Sequence, residues 1–572
     1  MTYDIILISS PNKNIDYPGL SLPILTAALR QNGFKVRQYD LNIILRNELL
    51  TEEALKLILT DSLPIYAKFL SHSNIDLKKL CDISLYLDNL NNIYGFKSLE
   101  QVKKKAQQRD YAWIFNEDIR FQQLISLFKI NRALHHLIDL ALIISNFSVD
   151  DFLTSKISKF IDKYAKDLLN NNPEVIGFSI LEIQRVFSLK IIRVLRGQQY
   201  NGKIVVGGAD PTRFPLGYMK YINSIDALFY REAELSLVRY LNQLHNNKPN
   251  YHDVPGLYFR KHNGEVISCN HDQLDLSFIP TPDFDDLPLD LYLTPTLPVQ
   301  SSRGCYWHKC KFCIHWDTYS DFRTRSPEKF VHDIKHLSKK YKTKYFHFTD
   351  DCLTIPHARK IVKLIKENHL DIRWLSYFRI ENDLDFNLLK EIWDAGGRIL
   401  EMGLESASPR MLKLMNKNIS PEVARRIADD ASLIGLMVKF FMFHGYPKEE
   451  LSEVKTTVEF TESLIKSGKI RPFLALRNRF ELLHGSDIYL TVVKNKESAV
   501  LKYWKPSGVF GIRAEYILKS DEESSRQVIK EFVNRIRKYM SDNKIFNTDD
   551  DNVMLDLLVL DNQPLKSGWR SF

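Results

Sequence analysis

Cysteine is scarce in this chain. Only six occur in 572 residues, and three of them, Cys305, Cys310 and Cys313, fall within nine positions, while Cys81, Cys269 and Cys352 are scattered. That distribution excludes a disulfide framework and suits reduced thiols in the cytoplasm. A long apolar run is also missing. The most apolar helical stretch, "ALHHLIDLALIISNF" (133–147), is too short for a membrane span and carries Asp139, so it reads as a buried helix with no membrane role. The first residues, "MTYDIILISSPNKN", lack a basic region followed by an apolar core, so no signal peptide is expected. Charge is not one-sided either: 79 basic against 70 acidic residues leave a net +9 with Lys and Arg dispersed, and no nucleic-acid partner is expected. The acidic run "NTDDDN" (547–552) reads as a solvated loop. What remains is an ordinary globular composition, 44% hydrophobic and 26% charged, in a chain longer than one core supports.

The chain opens as strand, helix, strand: "DIILISSP" (4–11), "LSLPILTAALRQNGF" (20–34) and "KVRQYDLN" (35–42). A block of helical patterns follows over about 43–170, and then the first rhythm returns with "EVIGFSI" (174–180), "KIVVGGAD" (203–210) and "DALFY" (226–230). Strands alternating with helices predict an α/β, doubly wound (Rossmann-like) domain over 1–250, with the helical block as an insertion. Ligands of such sheets sit at the C-terminal ends of strands, here Ser9, Ser179 and Gly207-Gly208. A hairpin turning at Asn263-Gly264 and a Pro- and Asp-rich linker span 251–290. Over 291–480 six strand candidates (297–303, 344–350, 372–378, 398–405, 436–446 and 472–478) alternate with helices opened by Ser326-Pro327-Glu328 and Ser420-Pro421-Glu422. They predict a partial (β/α)6 barrel with its chemistry at the strand ends. A small α+β accessory region, 481–572, completes the chain.

The three clustered cysteines follow the first barrel strand directly, in the spacing C-x4-C-x2-C within "SSRGCYWHKCKFC" (301–313). Three thiolates in one loop can hold an iron–sulfur cluster and leave one iron open to a ligand. His308 in the same loop makes a Cys3His zinc site the alternative, although structural zinc usually organises a small module rather than capping the first strand of a barrel.

This loop, with Phe312 just before the last cysteine, resembles the signature of radical S-adenosylmethionine (SAM) enzymes, whose first gap is usually one residue shorter. "SRGCYWHKCKFC" is similar to the phrase of the branch that carries a cobalamin-binding domain. The resemblance implies that Cys305, Cys310 and Cys313 bind a 4Fe–4S cluster and that Phe312 lies beside the adenine of SAM. "FHFTDD" (346–351) then offers Asp350 and Asp351 to the SAM amino group, "MGLESASPRMLKLMNK" (402–417) brings Glu405 and Ser406 to its methionine or ribose, "FFMFHGYPKEE" (440–450) lines the adenine pocket, and Arg379 ends the third strand facing SAM. The N-terminal phrases "PGLSLPILTAALRQNGFKVRQYDLN", "IGFSI", "VVGGADPT" and "VPGLYFR" are similar to the cobalamin-binding domain of that branch, without the Asp-x-His-x-x-Gly motif of a cobalt-ligating His. Where the branch usually has Gly-Glu-Gly-Glu this chain has Arg231-Glu232-Ala233-Glu234. Glu232 is retained at its place against the cofactor, and Arg231 and Ala233 add bulk where backbone should approach the corrinoid.

The family reading implies an enzyme that cleaves SAM to a 5′-deoxyadenosyl radical. Its foremost form is a cobalamin-dependent C-methyltransferase acting on an unactivated carbon of a peptide or small natural product, fed by an electron donor such as flavodoxin or ferredoxin. The alternatives are a radical SAM enzyme that cross-links or cyclises without methyl transfer, and a zinc-stabilised scaffold without activity. No Cys-rich segment follows Cys352, so no auxiliary-cluster domain is expected.

Overall fold

Five parallel strands make the first sheet: β1 (Ile5–Ser9), β2 (Val36–Asp40), β3 (Val175–Ser179), β4 (Lys203–Gly207) and β5 (Ala227–Phe229), in the order β2-β1-β3-β4-β5. β1 is buried along its whole length, as expected of a strand with helices over both faces. The order reverses direction between β1 and β3, which makes their C-terminal ends the switch point where ligands bind. Register puts Ser9 opposite both Asp40 and Ser179, and Ser179 opposite Gly207, so the three positions singled out from the sequence end in one row. The computed structural model describes residues 2–12, 16–71, 95–145, 150–261, 263–315, 318–319, 321–470, 476, 478–494, 501–505, 513–518, 522–543, 557–558 and 561. Cys81 and the acidic run 547–552 lie outside them.

The described residues of the insertion between β2 and β3 are mainly helical and include the helices Leu41–Leu49, Phe96–Gln107, Asp118–Ile144 and Phe152–Asn170. It starts where Asp40, the last residue of β2, accepts a hydrogen bond from Asn42 N–H at 3.0 Å. Among the described residues no helix is long and apolar enough to cross a membrane. The apolar helix Asp118–Ile144 instead packs around a buried polar knot. The Arg46 guanidinium donates to the Asn131 carbonyl (2.8 Å) and to Asn12 Oδ1 (3.2 Å), and Asn12 Nδ2 donates to Asp139 (2.5 Å). The insertion is therefore tied to the loop that leaves β1 at the ligand-facing edge.

The hairpin β6 (Leu257–Arg260) and β7 (Val266–Ser268), grouped with the linker over 251–290 in the sequence reading, extends the first sheet antiparallel from β5. The Pro- and Asp-rich stretch packs back as well: Asp283 and Asp286 hold Arg30 at 2.7 and 2.6 Å, and Tyr292 donates to Asp40 at 2.8 Å. Its carboxylates find a cation within the first of two compact units, Met1–Thr296 and Leu297–Phe572.

In the second unit β8 (Leu297–Val299), β9 (Ser302–Arg303), β10 (Arg323–Thr324), β11 (Tyr345–Leu353), β12 (Arg373–Phe378), β13 (Gly397–Glu405) and β14 (Met437–Met442) follow in turn. The main sheet is parallel and sequential, β8-β11-β12-β13-β14. The sixth strand candidate, 472–478, lies mostly outside the described residues, but Arg479 forms a parallel bridge with His444 just beyond β14. One face of the sheet carries the stacked pair Phe348–Trp374 (4.6 Å between ring centres), with Phe330 of the helix Pro327–Tyr341 edge-on to Phe348 at 5.0 Å. Ser326 and Ser420 cap their helices as the sequence predicts. Short antiparallel strands β15 (Leu482–Leu483), β16 (Leu501–Lys505) and β17 (Arg513–Leu518) and the helix Glu522–Asp542 follow. That helix packs on Leu451–Lys466 with an Arg535–Glu462 ion pair at 2.8 Å. The fold class is the α/β architecture read from the sequence.

Candidate functional site

The cysteine loop is anchored at its root. Gly304 has φ +80°, and a Cβ there would lie 2.8 Å from the Asp321 carbonyl, so only glycine turns the chain from β9 into the loop without displacing backbone. The two acidic residues of β11 divide their work. Asp350 is fully buried, and one of its oxygens accepts from Ser301 N–H (3.0 Å), Ser301 Oγ (2.8 Å) and Ser302 Oγ (2.5 Å), fastening the end of β8. Burial raises its carboxyl to about 6. Asp351 is turned to the loop: it accepts from Gly304 N–H at 3.1 Å and lies 3.7 Å from His315 Nδ1.

Cys305, Cys310 and Cys313 all influence one another's ionisation, as neighbouring thiols do. Cys305 is held down to about 6, first by a hydrogen bond from the Cys352 thiol, against the opposing effect of burial, with the backbone N–H groups of His308 and Trp307 adding to it. Burial pushes Cys313 up to about 12. His308 is exposed, and its backbone N–H reaches Cys305. Three thiols in one loop are the donor set that a 4Fe–4S cluster with one open iron requires.

Around the thiols stand residues from the ends of β12, β13 and β14. Glu405 ends β13 with φ +68°, a left-handed backbone that a non-glycine residue keeps only when its surroundings impose it. Its carboxylate meets Lys417 Nζ at 3.1 Å, both side chains being buried. Arg379, after β12, stacks over the Trp307 ring at 4.1 Å and donates to the carbonyls of Lys417 and Asn418. Phe312 packs edge-on against Phe443 at 5.5 Å, and Phe443 in turn touches Phe480 (5.3 Å) and stacks on Tyr446. The loop phenylalanine and the stretch 440–450, both expected near adenine, therefore share one aromatic wall. Ser406 is not part of this group: it is fully buried, and its hydroxyl pairs with Thr457 at 3.1 Å and accepts from Ser408 N–H.

Cys352 and Lys417 were not singled out for the site by sequence reasoning. Lys417 is the last residue of the quoted 402–417 motif, but nothing local indicates that it folds back on Glu405 twelve residues earlier.

In the first unit a small, mostly apolar cavity of about 40 Å³ opens at the strand ends, lined by Leu22, Leu25, Ser179, Gly207, Gly208 and Ala233 among others. Gly208 has φ +100°, and a Cβ would meet the Ile180 backbone at 2.8 Å, so the Gly-Gly turn is closed on the end of β3. Ser179 Oγ donates to Ser21 Oγ at 3.1 Å, while Ser9 lies buried beneath Gln184. Glu232 is turned to the stretch after the hairpin, accepting from Leu274 N–H at 3.4 Å.

Arg231 has φ +65° where the branch has glycine, and its guanidinium lies over the Tyr230 ring at 5.0 Å. Left-handed backbone costs about 1–2 kcal/mol in a non-glycine residue, while glycine's extra chain entropy and the lost cation–π contact each return about 0.5–1 kcal/mol. These terms nearly cancel. Arg231→Gly is therefore expected to move the unfolding free energy by less than about 1 kcal/mol in denaturant titration. Corrinoid affinity is expected to stay within about threefold, and a tenfold gain would mean that the side chain obstructs the site.

A three-thiol loop at the C-terminal mouth of a partial parallel barrel, preceded by a doubly wound domain with an apolar slot at its switch point, defines a two-domain cofactor enzyme. The sequence model of the Radical SAM superfamily matches residues 299–461. An uncharacterized methyltransferase of Pyrococcus horikoshii is 28% identical over 323 residues, 55% of this chain and 68% of the relative. The anaerobic magnesium-protoporphyrin IX monomethyl ester cyclase of Rubrivivax gelatinosus is 24% identical over 322 residues, 54% of this chain and 57% of its own length. The cobalamin-dependent S-adenosylmethionine radical enzyme OxsB, solved with aqua-cobalamin and S-adenosylmethionine bound, shares the fold at TM-score 0.56 and 16% identity, over 68% of this chain and 61% of that one. Residues 299–461 thus carry a radical SAM domain, whose superfamily uses a 4Fe–4S cluster and SAM, and the chain as a whole shares the fold of a cobalamin-dependent member.

Proposed function

We propose that this protein is a cobalamin-dependent radical SAM methyltransferase acting on an unactivated carbon of a peptide or small natural product. The observation that carries the cobalamin half is the apolar opening at the Ser179–Gly207–Gly208 row, the switch-point edge where sheets of this kind bind their ligands. The likeness to a methyltransferase and to a cobalamin-binding enzyme supports the same reading. When bound, the cluster–SAM pair supplies a carbon-centred radical that takes hydrogen from the substrate, and the corrinoid supplies a methyl group. The chain's own part is positioning. Cys305, Cys310 and Cys313 hold the cluster, Asp351 steadies their loop, and Arg379 and Glu405 border the place for SAM. The Phe312–Phe443 wall shields it from water. A flavodoxin or ferredoxin would deliver the electron.

The test is anaerobic reconstitution with iron, sulfide and hydroxocobalamin, followed by cobalt analysis, visible spectroscopy and product analysis with SAM. Stoichiometric cobalt, with 5′-deoxyadenosine and S-adenosylhomocysteine formed together, supports methyl transfer. An intact iron–sulfur spectrum without cobalt overturns it. A cobalamin-independent, ring-forming enzyme would then remain, the reading that the likeness to the cyclase favours.

A further inference from the structure

We propose that Lys417 is a positioning residue of the radical-generating centre: a fixed buried cation that holds Glu405 in its left-handed conformation and sets the electron affinity of the cluster on Cys305, Cys310 and Cys313. The inference rests on those three thiols holding the cluster.

The turn that carries Lys417 is latched to the cysteine loop. Lys311 N–H donates to the Met415 carbonyl (3.0 Å), Asn416 Nδ2 to the Lys309 carbonyl (2.9 Å), and Trp307 Nε1 to the Asn416 carbonyl (2.8 Å). Asn416 and Asn418 both adopt positive φ (57° and 48°), which reverses the chain sharply on either side of Lys417. Arg379 closes the turn from the other side through the carbonyls of Lys417 and Asn418. The Lys417 side chain is consequently fixed, 9% exposed, with its ammonium 3.1 Å from Glu405 and 5.8 Å from the ring of Phe312, the residue just before Cys313.

Space for the pair is reserved. A Cβ on Gly403 would fall 2.4 Å from Glu405 Oε1 and 2.9 Å from Lys417 Nζ, so the strand omits a side chain where the ion pair lies. Burial disfavours the ammonium, yet Glu405 and then Cys310 more than offset it, so the lysine stays charged. An ion pair taken out of water contributes little to stability by itself. Its place beside the thiols gives it a use. A cluster on three thiolates gains one negative charge when it accepts an electron, and a nearby fixed cation favours that state while a nearby carboxylate opposes it. The two halves of the pair therefore pull the potential in opposite directions.

The experiment uses the full chain, anaerobically reconstituted without SAM, with iron and sulfide counted first. Dithionite then titrates the cluster while electron paramagnetic resonance follows its reduced form, in wild type, Lys417→Gln, Lys417→Arg and Glu405→Gln. Lys417→Gln is expected to disfavour reduction at least tenfold, 59 mV for one electron. Glu405→Gln is expected to favour it, and Lys417→Arg to stay near wild type. A merely structural role would not give opposite signs. A Lys417→Gln midpoint equal to wild type, or neutral variants that both shift the same way, overturns the proposal. If Lys417→Gln does not retain the cluster, a Glu405→Gln midpoint that fails to rise overturns it as well. Wild-type protein that takes up no iron and sulfide would fail the cluster reading itself, a separate outcome.

Discussion

Cys310→Ala is expected to abolish the iron–sulfur absorption of the reconstituted protein and to reduce 5′-deoxyadenosine formation to that of a protein-free control. Fold loss would not be the reason. Cys310 is only partly buried in a surface loop, and removing one small side chain there costs no more than about 1 kcal/mol, far less than a domain's stability. Circular dichroism should therefore match wild type. Corrinoid uptake should persist, because the apolar cavity belongs to the other unit, Met1–Thr296. Cys352→Ala is the control. Cys352 is buried on β11 with its thiol on Cys305, outside the loop, and the variant is expected to keep its iron count. If Cys352→Ala loses iron while Cys310→Ala retains it, the ligand assignment is wrong.

Ala233→Phe is expected to have the converse effect, weakening corrinoid binding by at least about 100-fold while leaving iron content unchanged. Ala233 lines the cavity just before the helix Glu234–Leu244, with φ −111° and ψ −3°, a backbone that a larger residue adopts without strain. The ring would occupy the slot rather than the backbone's path, so the fold should survive an overpacking cost of about 1–3 kcal/mol. Cobalt content after reconstitution and gel filtration measures the outcome. Undiminished cobalt would show that the corrinoid, if bound, does not use this cavity.

Local pattern made much of the molecule legible. Period-two and period-3.6 hydrophobicity located most of the strands, and Ser-Pro-Glu sequences located two helix starts, because both signals are properties of neighbouring residues. The helical insertion was visible for the same reason. The hairpin was recognised as a hairpin, but its pairing with β5 was not, since an edge pairing depends on which strand is left uncovered. The linker's return onto Arg30 likewise depends on a partner some 250 residues away in sequence.

For the site, the division is similar. The sequence by itself determined that three thiols share one loop after a barrel strand, that Phe312 stands just before the last of them, and that glycines follow the strand of β4, because spacing and backbone permissiveness are written locally. Only the tertiary structure separated Asp351, which reaches the loop, from Asp350, which ties down β8, although the two are adjacent in the chain. A strand's alternation sends such neighbours to opposite sides, and which side meets the loop follows from how the sheet curls. It also turned Ser406 away to Thr457 and brought Lys417 back onto Glu405. Those outcomes were decided by packing, because a buried charge or hydroxyl takes the partner that the fold leaves within reach.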